Sequence, residues 1–161
     1  EIPLRLVGSE MCIRDSLCYE TKKAMPDKTV MVYYLGGINS WMPSVDGIEP
    51  GMFVDYAVAD YGGTAAPMQG MTVKQCSGMS IELNRGSGDS SESTARSKKE
   101  AGYGYYMFFA LGHTTSLVND FDDYRFQVGR CQSVARGLYD EELLMPEYYY
   151  KKNDATRYKL P

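Results

Sequence analysis

The sequence predicts a small β-rich domain of the α+β class, with antiparallel strands, long loops and one or two short helices. An all-β sandwich is the alternative. Three observations carry this expectation. The densest apolar run and the clearest alternation both lie within Gly102 to Arg136, which reads as a core hairpin. The stretch Thr29 to Leu35, TVMVYYL, is β-branched and aromatic on both faces, as a central strand would be. Between such runs lie Gly- and Pro-rich connections, Ile38 to Gly51 and Gly62 to Gly70.

The first residues stand apart. Leu6 to Ser16, LVGSEMCIRDS, reads codon for codon as a translated transposase sequencing adapter, and Glu1 to Arg5 fit the same frame. Residues 1–16 are therefore expected to be adapter-derived and outside fold reasoning. Residues 17–138 are then expected as the globular domain, and 139–161 as a helical turn with a tyrosine-rich tail. Leu17 to Pro161 is 145 residues, ordinary for one domain and long enough to bury a core without a metal or disulfide staple.

Charge and cysteine usage narrow the classes. The whole chain carries a net charge of −4, about −3 without residues 1–16, which argues against a basic nucleic-acid footprint. No apolar run reaches membrane-spanning length. Cys18, Cys76 and Cys131 form no CxxC pair and have no histidine at ligand spacing, so no zinc site is expected. Either one disulfide and a free thiol or three separate thiols fit this count. No cofactor is implied.

Taken in order, Met52 to Asp60 alternates as a half-buried strand, and Met71 to Gln75 with Met79 to Leu83 reads as two short strands or one bent one. Residues 84–100 contain no hydrophobe larger than Ala95 and should form a mobile polar loop, with at most a helical turn near that alanine. Tyr103 to Leu111 is apolar on both faces. Tyr124, Phe126 and Val128 alternate with Arg125 and Gln127 as a further strand, with Gly129 as a bulge.

Candidate chemistry is sparse. His113, the only histidine, follows the buried strand and could pair with Ser116, Ser80 or Asp123 for nucleophilic chemistry, but no Gly-x-Ser-x-Gly elbow is present. Asn119, Asp120, Asp122 and Asp123 form an oxygen-rich turn without EF-hand order. Asp46 and Glu49 are the remaining carboxylates considered for glycoside chemistry. The chain has 14 tyrosines, which serve equally as wet binding surface and as ordinary strand residues. Trp41, Asp122 and Asp123 are the expected ligand-binding residues.

Several segments resemble one family. Ser40 to Asp46, SWMPSVD, is similar to the Trp-x-Leu-Pro-Ser-x-x-Glu segment of the fibrobacter major paralogous domain. Ser90 to Ser93, Tyr105 to Phe109 and Tyr124 to Cys131 resemble its Ser-Ser-Thr-Glu loop, its Ala-Tyr-Tyr strand and its closing Val-Arg-Cys strand. The resemblance departs from the family at the missing Trp before Ser90 and at Gly129. It implies a C-type-lectin-like fold on a bacterial surface or secreted protein, without catalysis.

The expected function is thus a non-catalytic surface or secreted module binding a carbohydrate or protein, with no nucleic acid partner. Two alternatives stand beside it. One is a subunit of a larger assembly such as a virion or pilus. The other is a hydrolase using His113.

Overall fold

A computed structural model describes residues 9–34, 42–83, 86–110, 121–144, 148–150 and 157–159. The mixed α and β character is as expected. Helix α1 spans Ser9–Ala24, α2 Glu92–Glu100 and α3 Phe121–Tyr139. The strands are β1 (Met31–Tyr34), β2 (Tyr56–Ala59), β3 (Ser77–Glu82), β4 (Tyr105–Phe109), β5 (Tyr148–Tyr150) and β6 (Arg157–Lys159). Among the described residues helices outweigh strands, so the expected β-rich balance is not found there.

The strand direction differs from expectation. β1 pairs with β2 and β3 with β4, both in parallel, and a parallel bridge from Ala57 to Cys76 joins the two pairs. The main strands therefore lie side by side in chain order, all pointing one way. Only β5 and β6 pair antiparallel. Parallel neighbours cannot be joined by a tight turn and need a crossover. That is why the segment from Glu92 to Glu100 is a helix linking β3 to β4, where the sequence suggested a mobile loop.

Local chemistry explains α2. The Ser91 side chain accepts from the Thr94 N–H at 3.3 Å, Glu92 sits in the first turn, and Lys98 and Lys99 sit in the last. Its one core residue, Ala95, is fully buried and packs with Val134 of α3. Polar composition hid this helix because a single small apolar residue suffices where a neighbour approaches closely. Gly137 permits that approach: a Cβ there would lie 2.4 Å from the Glu92 carbonyl oxygen.

The Tyr124 to Val128 alternation is likewise not a strand. It lies within α3, so the closing strand required by the family resemblance does not exist. The hairpin expected over Gly102 to Arg136 is instead β4 followed by α3. Helix α1 also runs through residue 16, the boundary expected for the adapter-derived segment.

Helices and connecting segments cover one face of the sheet. Val32, Ala57 and Ala59 join Met42, Phe53, Val54 and Met68 in one core cluster, against which Cys18 and Tyr19 of α1 pack. Met79, Ile81 and Leu83 of β3 form a second cluster with Ala95 and Val134. The opposite face carries Met31, Tyr33, Tyr56, Val58, Ser80, Tyr105 and Met107, as the registers dictate. Cys76 and Cys131 are free thiols. Among the described residues no helix is long and apolar enough to cross a membrane.

Candidate functional site

In a parallel sheet all strands deliver their last residues to the same rim, and ligands bind outside those carboxyl ends. Here that rim gathers Tyr33 from β1, Asp60 just after β2, Glu82 at the end of β3 and Phe109 at the end of β4. The two carboxylates are deeply set, Asp60 being 8% and Glu82 7% exposed. Buried carboxylates need partners, and both have them.

Asp60 Oδ1 accepts from the Tyr33 hydroxyl and from the Tyr61 backbone N–H, the latter at 2.8 Å. Tyr33 feels this directly. Burial first, then the hydrogen bond and negative charge of Asp60, push its phenol up to about 12. The residue as a whole is 43% exposed, with its hydroxyl engaged by Asp60. Tyr33 thus stays a neutral donor at all physiological pH values.

Glu82 Oε2 accepts from Ser87 Oγ at 3.1 Å. The loop that carries Ser87 is pinned from α3, where Arg130 Nη2 donates to the carbonyls of Ser87 at 2.8 Å and Gly88 at 2.6 Å. The same loop meets the turn after Asp60. A Cβ on Gly62 would lie 2.8 Å from the Gly88 nitrogen, and one on Gly88 would lie 2.4 Å from the Ser80 carbonyl oxygen. Both glycines have positive φ, +79 and +82, which side-chain-bearing residues rarely adopt. Two glycines therefore lock the Asp60 turn against the Glu82 loop.

Aromatic rings frame the rim. Tyr61 is 64% exposed and meets Phe109 edge to face at 6.4 Å between centroids. The rim thus combines fixed carboxylates and a phenol hydroxyl with open ring faces. Such a set can hydrogen-bond hydroxyl groups and stack on an apolar ring face at once. Among the described residues no group of His, Cys, Asp and Glu could hold a metal.

The residues expected from sequence fare differently. Trp41 and His113 lie outside the described residues. Asp122 and Asp123 fall in the first turn of α3. Ser80, weighed as a nucleophile, is fully buried and donates its Oγ proton to the Ala59 carbonyl. Glu49 accepts from Gln69 Nε2 at 3.0 Å in the segment leading into β2, not at the rim. Sequence reasoning missed Tyr33, Asp60, Tyr61 and Glu82. Two signals were present: Asp60 ends an alternating strand just before Tyr61 and two glycines, and Glu82 ends an apolar one.

No family model matches the chain. Comparison with individual proteins does find relatives. Endo-beta-N-acetylglucosaminidase F1 of Elizabethkingia meningoseptica is 34% identical over 140 residues, which cover 85% of this chain and 40% of that protein. EndoBT-3987 of Bacteroides thetaiotamicron with a Man5GlcNAc product superposes with a TM-score of 0.73 at 40% identity, over 94% of this chain and 33% of that one. With a Man9GlcNAc2Asn substrate the TM-score is 0.70 at 39% identity, over 94% of this chain and 36% of that one. The chain spans well under half the length of each relative.

These likenesses overturn three expectations. The chain resembles endo-beta-N-acetylglucosaminidases, and the C-type-lectin-like reading falls with the missing closing strand. The non-catalytic module and the virion or pilus subunit give way, because the relatives are enzymes. Of the alternatives, the hydrolase class is the one the relatives favour.

Proposed function

We propose that this chain forms the carbohydrate-binding rim of a glycoside hydrolase acting on N-linked glycans. The observation that carries the reading is the 40% identity to EndoBT-3987 across 94% of the chain, in a protein that holds a glycan product. The substrate of that relative ends in GlcNAc2Asn and its product in a single GlcNAc. The bond broken is then the one between the two N-acetylglucosamine units, with water adding across it.

The rim has the features such a ligand needs. Tyr33 and Asp60 form a preset pair whose remaining lone pairs, on the Tyr33 hydroxyl oxygen and the Asp60 carboxylate, can accept from sugar hydroxyl or acetamido N–H groups, and Ser87 holds the Glu82 carboxylate in a fixed direction. Tyr61 offers an exposed ring on which a pyranose can stack. Much of the sugar-binding energy would come from such polar groups because they are already ordered before the ligand arrives.

The test is a titration of the chain with Man9GlcNAc2Asn and with Man5GlcNAc, followed by saturation-transfer NMR and calorimetry. Binding of either glycan is expected, weakened about tenfold by Tyr61→Ala, which corresponds to about 1.4 kcal/mol. Absence of binding by both glycans at millimolar concentration would sink the reading.

A further inference from the structure

Both rim carboxylates meet one short loop, and one side chain of α3 holds that loop. The Ser87 carbonyl accepts from the Glu82 N–H at 3.1 Å and from Arg130 Nη2 at 2.8 Å. The same Nη2 donates to the Gly88 carbonyl at 2.6 Å. Hydrogen bonds from a charged donor are short and roughly twice as strong as neutral ones. The Ser87 hydroxyl then donates to Glu82 Oε2 at 3.1 Å. Helix α3 therefore reaches the Glu82 carboxylate through a single residue of the loop. Farther along, Asp89 is tied to α2, accepting from the Ser91 N–H at 2.8 Å and from the Thr94 hydroxyl at 2.6 Å.

Arg130 is a poor choice if stability alone is served. Its Nε is buried and has no hydrogen-bond partner among the described residues, and a buried donor left unpaired is costly. Burial pulls its guanidinium below the usual arginine range, and the negative charge of Asp89 opposes that. A well-packed apolar side chain would avoid both penalties, but it could not fix the two carbonyls. The guanidinium is itself held in place, its Cζ lying 5.6 Å from the centroid of the Phe126 ring. Gly86 passes over this pair in left-handed backbone, with φ of +77, where a Cβ would lie 3.2 Å from Phe126 Cζ.

From these contacts we infer that Arg130 is a positioning residue for the sugar-binding rim, acting through Ser87 to set the direction in which the Glu82 carboxylate faces its ligand. The ligand group is a sugar hydroxyl or acetamido N–H, which donates to that carboxylate. Direction matters because a hydrogen bond weakens steeply as its angle closes. A carboxylate ordered before the sugar arrives also loses less freedom on binding. The close contact of Gly88 with Gly62 carries the same constraint to the Asp60 turn. The sugar role rests on the proposed function, whereas the hold on Glu82 does not and is read out separately.

The experiment uses the whole chain with Arg130→Gln, Ser87→Ala and the double variant, each checked for folding by its far-UV spectrum. Three-bond NMR couplings read the Glu82 side-chain rotamer without any ligand, and calorimetry gives the affinity for Man9GlcNAc2Asn and for Man5GlcNAc. The parent chain should hold Glu82 in one rotamer, and both single variants should average it. Each single variant should weaken glycan binding about tenfold, and the double variant no more than either, because both changes break one link. An arginine with a merely structural role would instead add its loss to that of Ser87→Ala. Additive losses, or a Glu82 that keeps one rotamer in either single variant, overturn the inference. So does unchanged affinity in variants whose Glu82 is averaged. If Arg130→Gln does not fold, Arg130→Met, which keeps an apolar stem without a donor, takes its place and is scored the same way. A parent chain that binds neither glycan sinks the proposed function, while the couplings still judge the hold on Glu82.

Discussion

The pairing of Tyr33 with Asp60 makes a sharp prediction because both hydrogen bonds to the carboxylate fall on one oxygen, Oδ1. Asp60→Asn keeps that oxygen as an acceptor and removes only the charge. Tyr33→Phe removes the donor and leaves the charge. A hydrogen bond to a charged group contributes about 1.5–3 kcal/mol, and water can partly replace the hydroxyl of a half-exposed ring, so Tyr33→Phe should cost about 1 kcal/mol. Charge-assisted bonds are roughly twice as strong as neutral ones, so Asp60→Asn should lose about half of that from this bond. The double variant should cost less than the sum of the two singles, because the second change removes a bond already broken.

The same pair predicts a titration. The phenol of Tyr33 stands near 12 through burial first and Asp60 second. In Asp60→Asn the burial remains and the charge is gone, so the phenol should fall but stay above its ordinary value. A group with a raised folded pKa contributes stability fully below its unfolded pKa, near 10, and loses it as pH rises through the folded value. The alkaline loss of stability should therefore be shallower in Asp60→Asn. Urea denaturation against pH, with ¹³C NMR of the tyrosine rings, measures both effects. The resonance missing in Tyr33→Phe identifies the ring. Additive single effects, or a Tyr33 titration unmoved by Asp60→Asn, would refute the reasoning.

Three further outcomes are expected. Gly88→Ala forces a side chain into left-handed backbone 2.4 Å from the Ser80 carbonyl, and should cost about 2–4 kcal/mol by urea denaturation; an unchanged midpoint would mean the loops are not locked together there. Arg130→Gln strips the carbonyls of Ser87 and Gly88 of their donor, so amides of residues 86–90 should exchange faster and stability should drop by about 1–3 kcal/mol; unaltered exchange would remove Arg130 from its anchoring role. Burial alone would raise the Asp55 carboxyl, but the Val30 N–H and Lys22 outweigh it and hold it below the usual carboxylate range. That stability is present above the unfolded pKa near 4 and is lost as pH falls through the lower folded value. Asp55→Asn should flatten the acid limb of the stability profile, and an identical limb would contradict the assignment.

How much of this was legible depended on what each segment advertises. β4 was visible because Tyr105 to Phe109 is apolar on both faces, and β2 because an alternating run ends in Asp60 and two glycines. Strand direction was not visible, since a strand reads alike whichever way its neighbour runs. α2 was hidden by its polarity: Ala95 is its only fully buried residue, and the helix forms through its Ser91 cap and the space that Gly137 leaves. α3 misled because Tyr124, Phe126 and Val128 alternate over a window too short to separate a period of two from a helical stripe. The rim was missed for a further reason. Tyr33, Asp60 and Glu82 lie far apart in the chain, and only parallel pairing brings them to one end.

Parallel pairing also gives three of the 14 tyrosines a common place, where composition alone left open binding surface and strand preference. Along β1, β2 and β4, Tyr33, Tyr56 and Tyr105 all point to the face that the helices do not cover. Tyr103 and Tyr106 point elsewhere, packing against the helix-side clusters. A phenylalanine at position 33 would meet the same packing need but leave Asp60 without its hydroxyl donor. Tyrosine serves both ends of that surface, apolar body against whatever covers the sheet and hydroxyl toward the carboxylate rim, as Tyr33 shows with Asp60. The two roles make opposite demands on substitution. Tyr105→Phe should be silent in glycan binding, since Tyr105 starts its strand at the end away from the rim, whereas Tyr33→Phe should weaken it. If both substitutions weakened binding alike, the confinement of sugar binding to the rim would be wrong.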